Sequence, residues 1–312
     1  MRYEESHQRR RLSGQIVQRG RQTSLSTIGG WLFGLPFVAG GTAIALIGLK
    51  VIAVDPATVH APYWVLTVCG ACFLGAGLMV WGLTLRQFRA NRRRAAITGT
   101  TRADLALVDY PWDTRGCQPS RWGKAGKAGA AALAMSIFLS IFNWWAFFSK
   151  DGPLLVKLIV GVFDFFLVWA WGYFFLTIAR AIRFNASRLE FTEFPYSTQS
   201  PILLRWQSPT GLTKSSPGSF RLRCAEEWTE TTGSGDDRST RVVQEEIWNG
   251  TWHLEPDDEL LPGEIRVFKF EPPAEAQPTS LSAGKTIYWE FEVKLEMAGP
   301  DFVETYLVPV YS

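Results

Sequence analysis

Four stretches of this chain carry little or no charge over twenty or more residues: Ile28 to Ala53, Tyr63 to Leu85, Ala128 to Phe148 and Pro153 to Ala179. A helix needs about 20 apolar residues to cross the hydrocarbon core of a bilayer, and inside lipid only helices and closed barrels satisfy their own backbone. The runs therefore predict four transmembrane helices. The first run starts late, is long, and is followed by a second run rather than a mature domain. It reads as a span and not as a cleavable signal.

Charge divides what remains. Residues 1 to 184 hold 21 Lys and Arg against 8 Asp and Glu, whereas residues 185 to 312 hold 11 against 21. A net of +13 followed by a net of −10 places a domain boundary near Phe184. The expected organisation is a basic leader (1–27), two spans (28–85), a basic loop (86–127), two further spans (128–179) and a separate C-terminal domain (185–312). The leader holds Arg2, Arg9, Arg10, Arg11, Arg19 and Arg21, and the long loop holds ten basic residues, including Arg92, Arg93 and Arg94. The loop Asp55 to Pro62 has none, and the turn at Lys150, Asp151 and Gly152 has one. By the positive-inside rule both termini face the cytoplasm, in an inner (plasma) membrane. Trp31, Trp64, Trp81, Trp144, Trp145 and Trp169 near the span ends fit interfacial aromatics. Topology and attraction to anionic lipid account for the basic clusters, so no specific nucleic-acid partner is expected.

Within the first span Gly30, Gly34, Gly41, Ala45 and Gly48 recur at spacings of four and seven, along one strip of the helix. Ala71, Gly75 and Gly82 repeat the pattern in the second span, and Ala128, Ala132, Ser136 and Ser140 in the third. Small residues at these spacings let helices approach closely in lipid, which predicts a compact four-helix bundle, with room for homo-oligomers. One acid, Asp164, falls near the middle of the fourth span, where an unpaired carboxylate costs on the order of 2.5 to 3.5 kcal/mol. Lys157 lies two turns away on the same side of that helix, and Asn143 or Ser140 of the third span comes within reach through the short turn. Asp164 reads either as a neutral, hydrogen-bonded packing residue or as an intramembrane proton or ion site; with no second acid in the spans, packing is the favoured reading.

Other motifs carry little. Cys69 and Cys72 have redox spacing but sit inside a span, where they read as small apolar filler. Gly284-Lys285-Thr286 lacks the first glycine of a phosphate-binding loop, Thr279 standing in its place, and precedes a strand. His7, His60 and His253 lie in three separate regions and make no zinc site. Asn185 and Asn249 open glycosylation sequons that a cytoplasmic domain leaves unused. No cofactor, metal or catalytic grouping is called for, and no enzyme is expected.

From Ser187 onward the hydrophobic period becomes two. Ile287, Trp289, Phe291, Val293 and Leu295 alternate with Tyr288, Glu290, Glu292, Lys294 and Glu296, and Phe220, Leu222 and Cys224 with Arg221 and Arg223. Further strands are expected at Leu189 to Phe194, Leu203 to Trp206, Val242 to Trp252, Ile265 to Phe270 and Phe302 to Val310. Seven strands parted by Pro and Gly turns predict an all-β, immunoglobulin-like antiparallel sandwich able to close its own core, with Thr231 to Thr240, including Gly233, Gly235, Asp236 and Asp237, as a loop tip.

The run Ile265-Arg-Val-Phe-Lys-Phe, then Pro272, Pro273, Pro278 and Ser280, then Ile287-Tyr-Trp-Glu-Phe-Glu-Val, then Asp301 and Leu307-Val-Pro-Val310, resembles one lobe of arrestin-like sandwiches. The chain as a whole is similar to bacterial multi-pass membrane proteins of unknown function that pair a few spans with such a lobe. Arrestins use two lobes and this chain has length for one, so the resemblance implies the fold and carries over no binding residue. Two functions fit this architecture. One is a membrane-anchored scaffold presenting an acidic sandwich to a cytoplasmic protein partner; the other is a component of a transport or channel complex in which Asp164 titrates. A weaker third, an immunity-type protein against a membrane-active toxin, has no residue in its favour.

Overall fold

The computed structural model describes residues 1–12, 19, 27–55, 59, 61–96, 101–148, 154–184, 187–212, 216–232, 239–255, 258–281, 285–297 and 299–312. The Lys150-Asp151-Gly152 turn, the Gly233 to Asp237 tip, Arg21, His60, Asn185 and Gly284 lie outside the described residues. The chain forms two compact units: a helical unit of residues 24–93 and 122–179, and a β unit of residues 1–23, 94–121 and 180–312.

Four helices are long and apolar enough to cross a membrane: α1 (Thr27–Gly48), α2 (Tyr63–Ala96), α4 (Arg121–Asn143), which continues through a π-helical turn at Trp144–Phe148, and α5 (Leu154–Arg183). At most 17 % of each apolar window is buried inside the molecule, so their apolar surface faces outward. Helix α2 runs eleven residues past the expected end at Leu85, because Arg, Gln and Ala continue a helix once polarity is met at its end. Helix α4 likewise starts at Arg121, seven residues before the apolar run.

Glycine governs the α1–α2 contact. A Cβ at Gly41 would collide with the backbone of Leu74 and Gly70, one at Gly48 with Thr67, and one at Gly30 with Thr84. Gly70 meets the Ala45 backbone, Gly77 meets Val38, and Gly34 lies against the Trp81 ring. On α2 the contacting strip is therefore Thr67, Gly70, Gly77 and Thr84. A Cβ at Gly75 or Gly82 would meet nothing within 4 Å, so these two residues lie off the contact. Ala125, Ala132, Leu139 and Ala146 are buried at intervals of seven along α4 and its π turn, and Gly129 abuts the Phe174 ring of α5.

The β unit is two facing sheets. The first has the order β1 (Arg2–Ser6), β8 (Ser239–His253), β7 (Ser216–Thr232), β10 (Thr286–Glu296), β11 (Phe302–Val308), with β2 (Arg10–Arg11) also on β8. The second has the order β3 (Gly116–Cys117), β4 (Arg188–Phe191), β6 (Ile202–Gln207), β9 (Ile265–Phe270), all antiparallel. A short parallel pair joins β5 (Tyr196–Ser197) to β12 (Val310–Tyr311). Inward residues of the two sheets interleave: Phe220 of β7 stacks on Phe268 of β9 at 4.3 Å, and Trp206 packs edge-on against Phe220 at 5.2 Å. Trp206, Phe220, Leu222, Phe270, Trp289, Phe291, Val293 and Tyr306 are wholly buried, the period-two face of each strand meeting its counterpart.

The boundaries of this unit differ from the expected 185–312. The leader supplies β1 and β2, and the loop between the second and third long helices supplies β3 and a short helix, α3 (Arg102–Asp109). Strand β1 pairs over five residues with β8, Arg2 opposite His253 through Ser6 opposite Asn249. Helix α3 is closed at its start by a capping box between Thr101 and Asp104. The charge of leader and loop hides the few apolar contacts that fix them in place, Tyr3 on Trp252 and Tyr110 and Trp112 against Ala225, Leu281 and Tyr288 among them.

Candidate functional site

In the helical unit Asp164 of α5 and Asn143 of α4 meet. The Asn143 side-chain amide donates to Asp164 Oδ1 at 2.8 Å and to the Leu139 carbonyl at 3.3 Å. Ser140 is turned away, exposed, its hydroxyl donating to the Ile137 carbonyl of its own helix at 2.7 Å. Lys157 and Asp164 form no ion pair; seven residues of helix hold them about 10 Å apart along the axis. Two turns below the polar pair, Trp171 Nε1 donates to Ser136 Oγ at 3.0 Å and fastens the same two helices again. Gly30, Gly34, Gly41, Ala45 and Gly48 all lie in the α1–α2 contact described above.

The β unit holds a second polar cluster that the sequence does not announce. Side chains on the outer face of the six-stranded sheet are nearly sealed from water: Glu290 is 2 % exposed, Glu227 7 %, Glu246 1 % and Gln244 5 %. Buried carboxylates are costly unless paired and hydrogen-bonded. Arg19 of the leader supplies the pairing. Its Nε donates to Glu290 Oε2 at 2.8 Å while its own backbone N–H donates to Glu227 Oε2 at 3.0 Å. Arg223 takes the other Glu290 oxygen at 2.5 Å, and Gln244 Nε2 donates to Glu227 at 2.6 Å. Burial opposes the Arg223 charge, but the Glu290 and Glu292 carboxylates outweigh it and hold its pKa above the ordinary arginine value. Beside this, Arg221 and the Asn249 amide both bond Glu246 Oε1, and Glu246 Oε2 has no hydrogen-bond partner among the described residues.

Leader and loop cover this face together. Leu12 donates its N–H to the Gln244 carbonyl at 2.9 Å, and Leu12, Tyr110 and Trp112 pack over Ala225, Leu281 and Tyr288. Asp109, the last residue of α3, accepts the Leu281 N–H at 2.8 Å and the Tyr311 hydroxyl at 2.9 Å, and Trp112 Nε1 donates to the same hydroxyl at 3.2 Å. Burial, then the Asp109 carboxylate, raises the Tyr311 pKa, so this hydroxyl stays protonated and donating. Burial likewise pushes the Cys224 thiol up to about 12, which leaves it inert. Among the described residues no group of three or more His, Cys, Asp and Glu side chains is placed to hold a metal ion. The chemistry available here is recognition and fastening: an arginine from the leader divided between two carboxylates of the sheet, with its neighbours fixed by amides.

No family model matches the chain, and no curated protein matches it. Among solved structures it is similar to the sporulation control protein Spo0M from Bacillus subtilis, at 11 % identity and a TM-score of 0.23. The match covers 40 % of this chain and 49 % of that one, so the chain spans about half the length of that protein.

Proposed function

We propose that the chain is a membrane-anchored interaction module. Its four helices insert in the inner (plasma) membrane with both termini in the cytoplasm, and its β unit, of the arrestin-like or immunoglobulin-like sandwich kind, is presented to a protein partner. The observation that carries this reading is that three polar segments, separated from one another by pairs of apolar helices, enter one β unit. Two crossings separate each segment from the next, so all three emerge on one side, and their basic residues make that side cytoplasmic. A unit built from all three segments is tied to its anchor at several points, which suits holding a partner in place. Strands β9 and β11 each have a single strand neighbour among the described residues, and such edges accept an added strand. The Asn143–Asp164 bond supports a packing role for Asp164 over a titrating one.

Cross-linking in intact cells followed by isolation of the full chain in detergent tests this. A specific protein joined to residues of β9 or β11 is expected, with recovery cut several-fold by Val303→Lys on the exposed edge of β11. Proton or ion flux through the reconstituted chain alone, lost in Asp164→Asn, would replace this reading with transport.

A further inference from the structure

The outer face of the four-stranded sheet departs from the rest of the β unit. Acidic residues outnumber basic ones by ten over residues 185–312. On β4, β6 and β9, however, the residues facing away from the core include Arg188, Arg205 and Lys269, set against Glu190, which both arginines approach at 3.6 and 3.5 Å, and Glu271 just past β9, which pairs with Lys269 at 2.7 Å. Among them stand Leu203, Ile265 and Val267, 39, 44 and 61 % exposed, with Leu261 of the preceding loop 60 % exposed. Leu203 is opposite Lys269, and Val267 opposite Arg205, so apolar and cationic side chains alternate across one surface. Apolar side chains interspersed with Arg and Lys are the composition that settles into the headgroup layer of a bilayer, where the stems are buried and the charges meet phosphate.

We propose that this face docks on the surface of an anionic bilayer; the inference rests on the membrane reading above. Charge selects lipid. This face carries three cations against Glu190 and Glu271, whereas residues 185–312 as a whole carry a net of −10, so an anionic surface attracts this sheet more than the acidic remainder.

Lysine acetylation of the full chain in lipid nanodiscs, read by mass spectrometry, tests the inference without a variant. Lys269 and Lys294 are matched probes, with side chains 56 and 51 % exposed and each beside a glutamate, the first on this face and the second on the other sheet. Acetylation of Lys269 should slow several-fold in discs containing phosphatidylglycerol relative to phosphatidylcholine alone, while Lys294 is unchanged. The double variant Leu203→Glu/Val267→Glu should abolish the difference. Equal Lys269 rates in both discs would overturn the proposal, as would slowing that depends on protein concentration at fixed lipid, which would assign the face to a second copy. Failure to enter discs at all, seen by size exclusion, would instead overturn the membrane reading.

Discussion

Arg19→Ala removes the guanidinium that holds the leader to the sheet and leaves the Arg19 backbone bond to Glu227 in place. Breaking a buried ion pair costs about 3 to 5 kcal/mol when one partner is left alone. Glu290 keeps Arg223, however, and the Arg19 side chain is 20 % exposed, so a charge-assisted hydrogen bond of about 2 kcal/mol is the better scale. For a unit of this size each kcal/mol moves the melting temperature by about 2 to 4 °C, which gives a loss of about 4 to 8 °C. The assay is thermal unfolding of the full chain in detergent, followed by the emission of the buried Trp206, Trp248 and Trp289. Arg2→Ala is the control, because the Arg2–Glu4 pair is 71 and 58 % exposed and should shift melting by no more than about 1 °C. Glu290→Ala should cost more than Arg19→Ala, since it leaves Arg19 without its carboxylate and Arg223 with Glu292 alone, at 3.5 Å. Amide exchange in β1 should rise by up to about 30-fold in Arg19→Ala if leader and latch open as one unit. Equal melting of Arg19→Ala and Arg2→Ala would refute the reasoning.

Three other outcomes are expected. Gly41→Ala places a methyl against the Leu74 backbone and should lower the melting of the helical unit by an amount equivalent to about 1 to 3 kcal/mol, whereas Gly75→Ala, with nothing within 4 Å, should be silent; equal effects would contradict the glycine contact. A fragment from Phe184 to Ser312 lacks β1, β2, β3 and α3, so it should melt below the same β unit in the full chain and gain stability on adding a peptide of residues 1–23; a fragment that melts no lower would show that leader and loop contribute nothing. Asp164→Asn should leave assembly nearly intact while Asp164→Leu loosens α4 from α5 by about 1 kcal/mol, measured by thermal stability in detergent.

The apolar runs and the alternation in Ile287 to Leu295 made four helices and the central strand legible, because both signals are local. The Asp164–Asn143 pair was in view for the same reason: a short turn leaves few partners for a buried acid. The contacting strip of α2 was not. Gly70, Gly77 and Thr84 form a strip of small residues at intervals of seven, as Gly75 and Gly82 do, and only the position of α1 decides which is used. Strand β1 reads Arg-Tyr-Glu-Glu-Ser, a sequence with one apolar ring and no period that marks a strand. Its place is set by ladder bonds to β8 and by Tyr3 on Trp252. Cys224 reads as a thiol on the cytoplasmic side, but it lies in the core, so its labelling would report unfolding before topology.

Distance along the chain explains both why the Arg19 latch is hard to read and how it must behave. Arg19 and Glu290 are 271 residues apart, Arg19 and Glu227 208, and Glu5 and Trp248 243. Contacts of such range form only after their loops have closed, so they come late in folding. The facing sheets can close earlier, because β6, β7, β8, β9 and β10 all fall within residues 202–296 and their pairings close far shorter loops than those of the leader. Until the leader arrives, Glu290 has Arg223 and Glu227 has Gln244, enough to keep the sheet intact with its outer face open. The leader is then the last piece in and, by the same energetics, the first piece out: its release exposes the outer face while leaving the core between the sheets closed. A partner that competes for Glu290 and Glu227 with a cation of its own would therefore bind at the cost of the latch and not of the fold, and its affinity should rise in Arg19→Ala by the factor by which that variant opens the face.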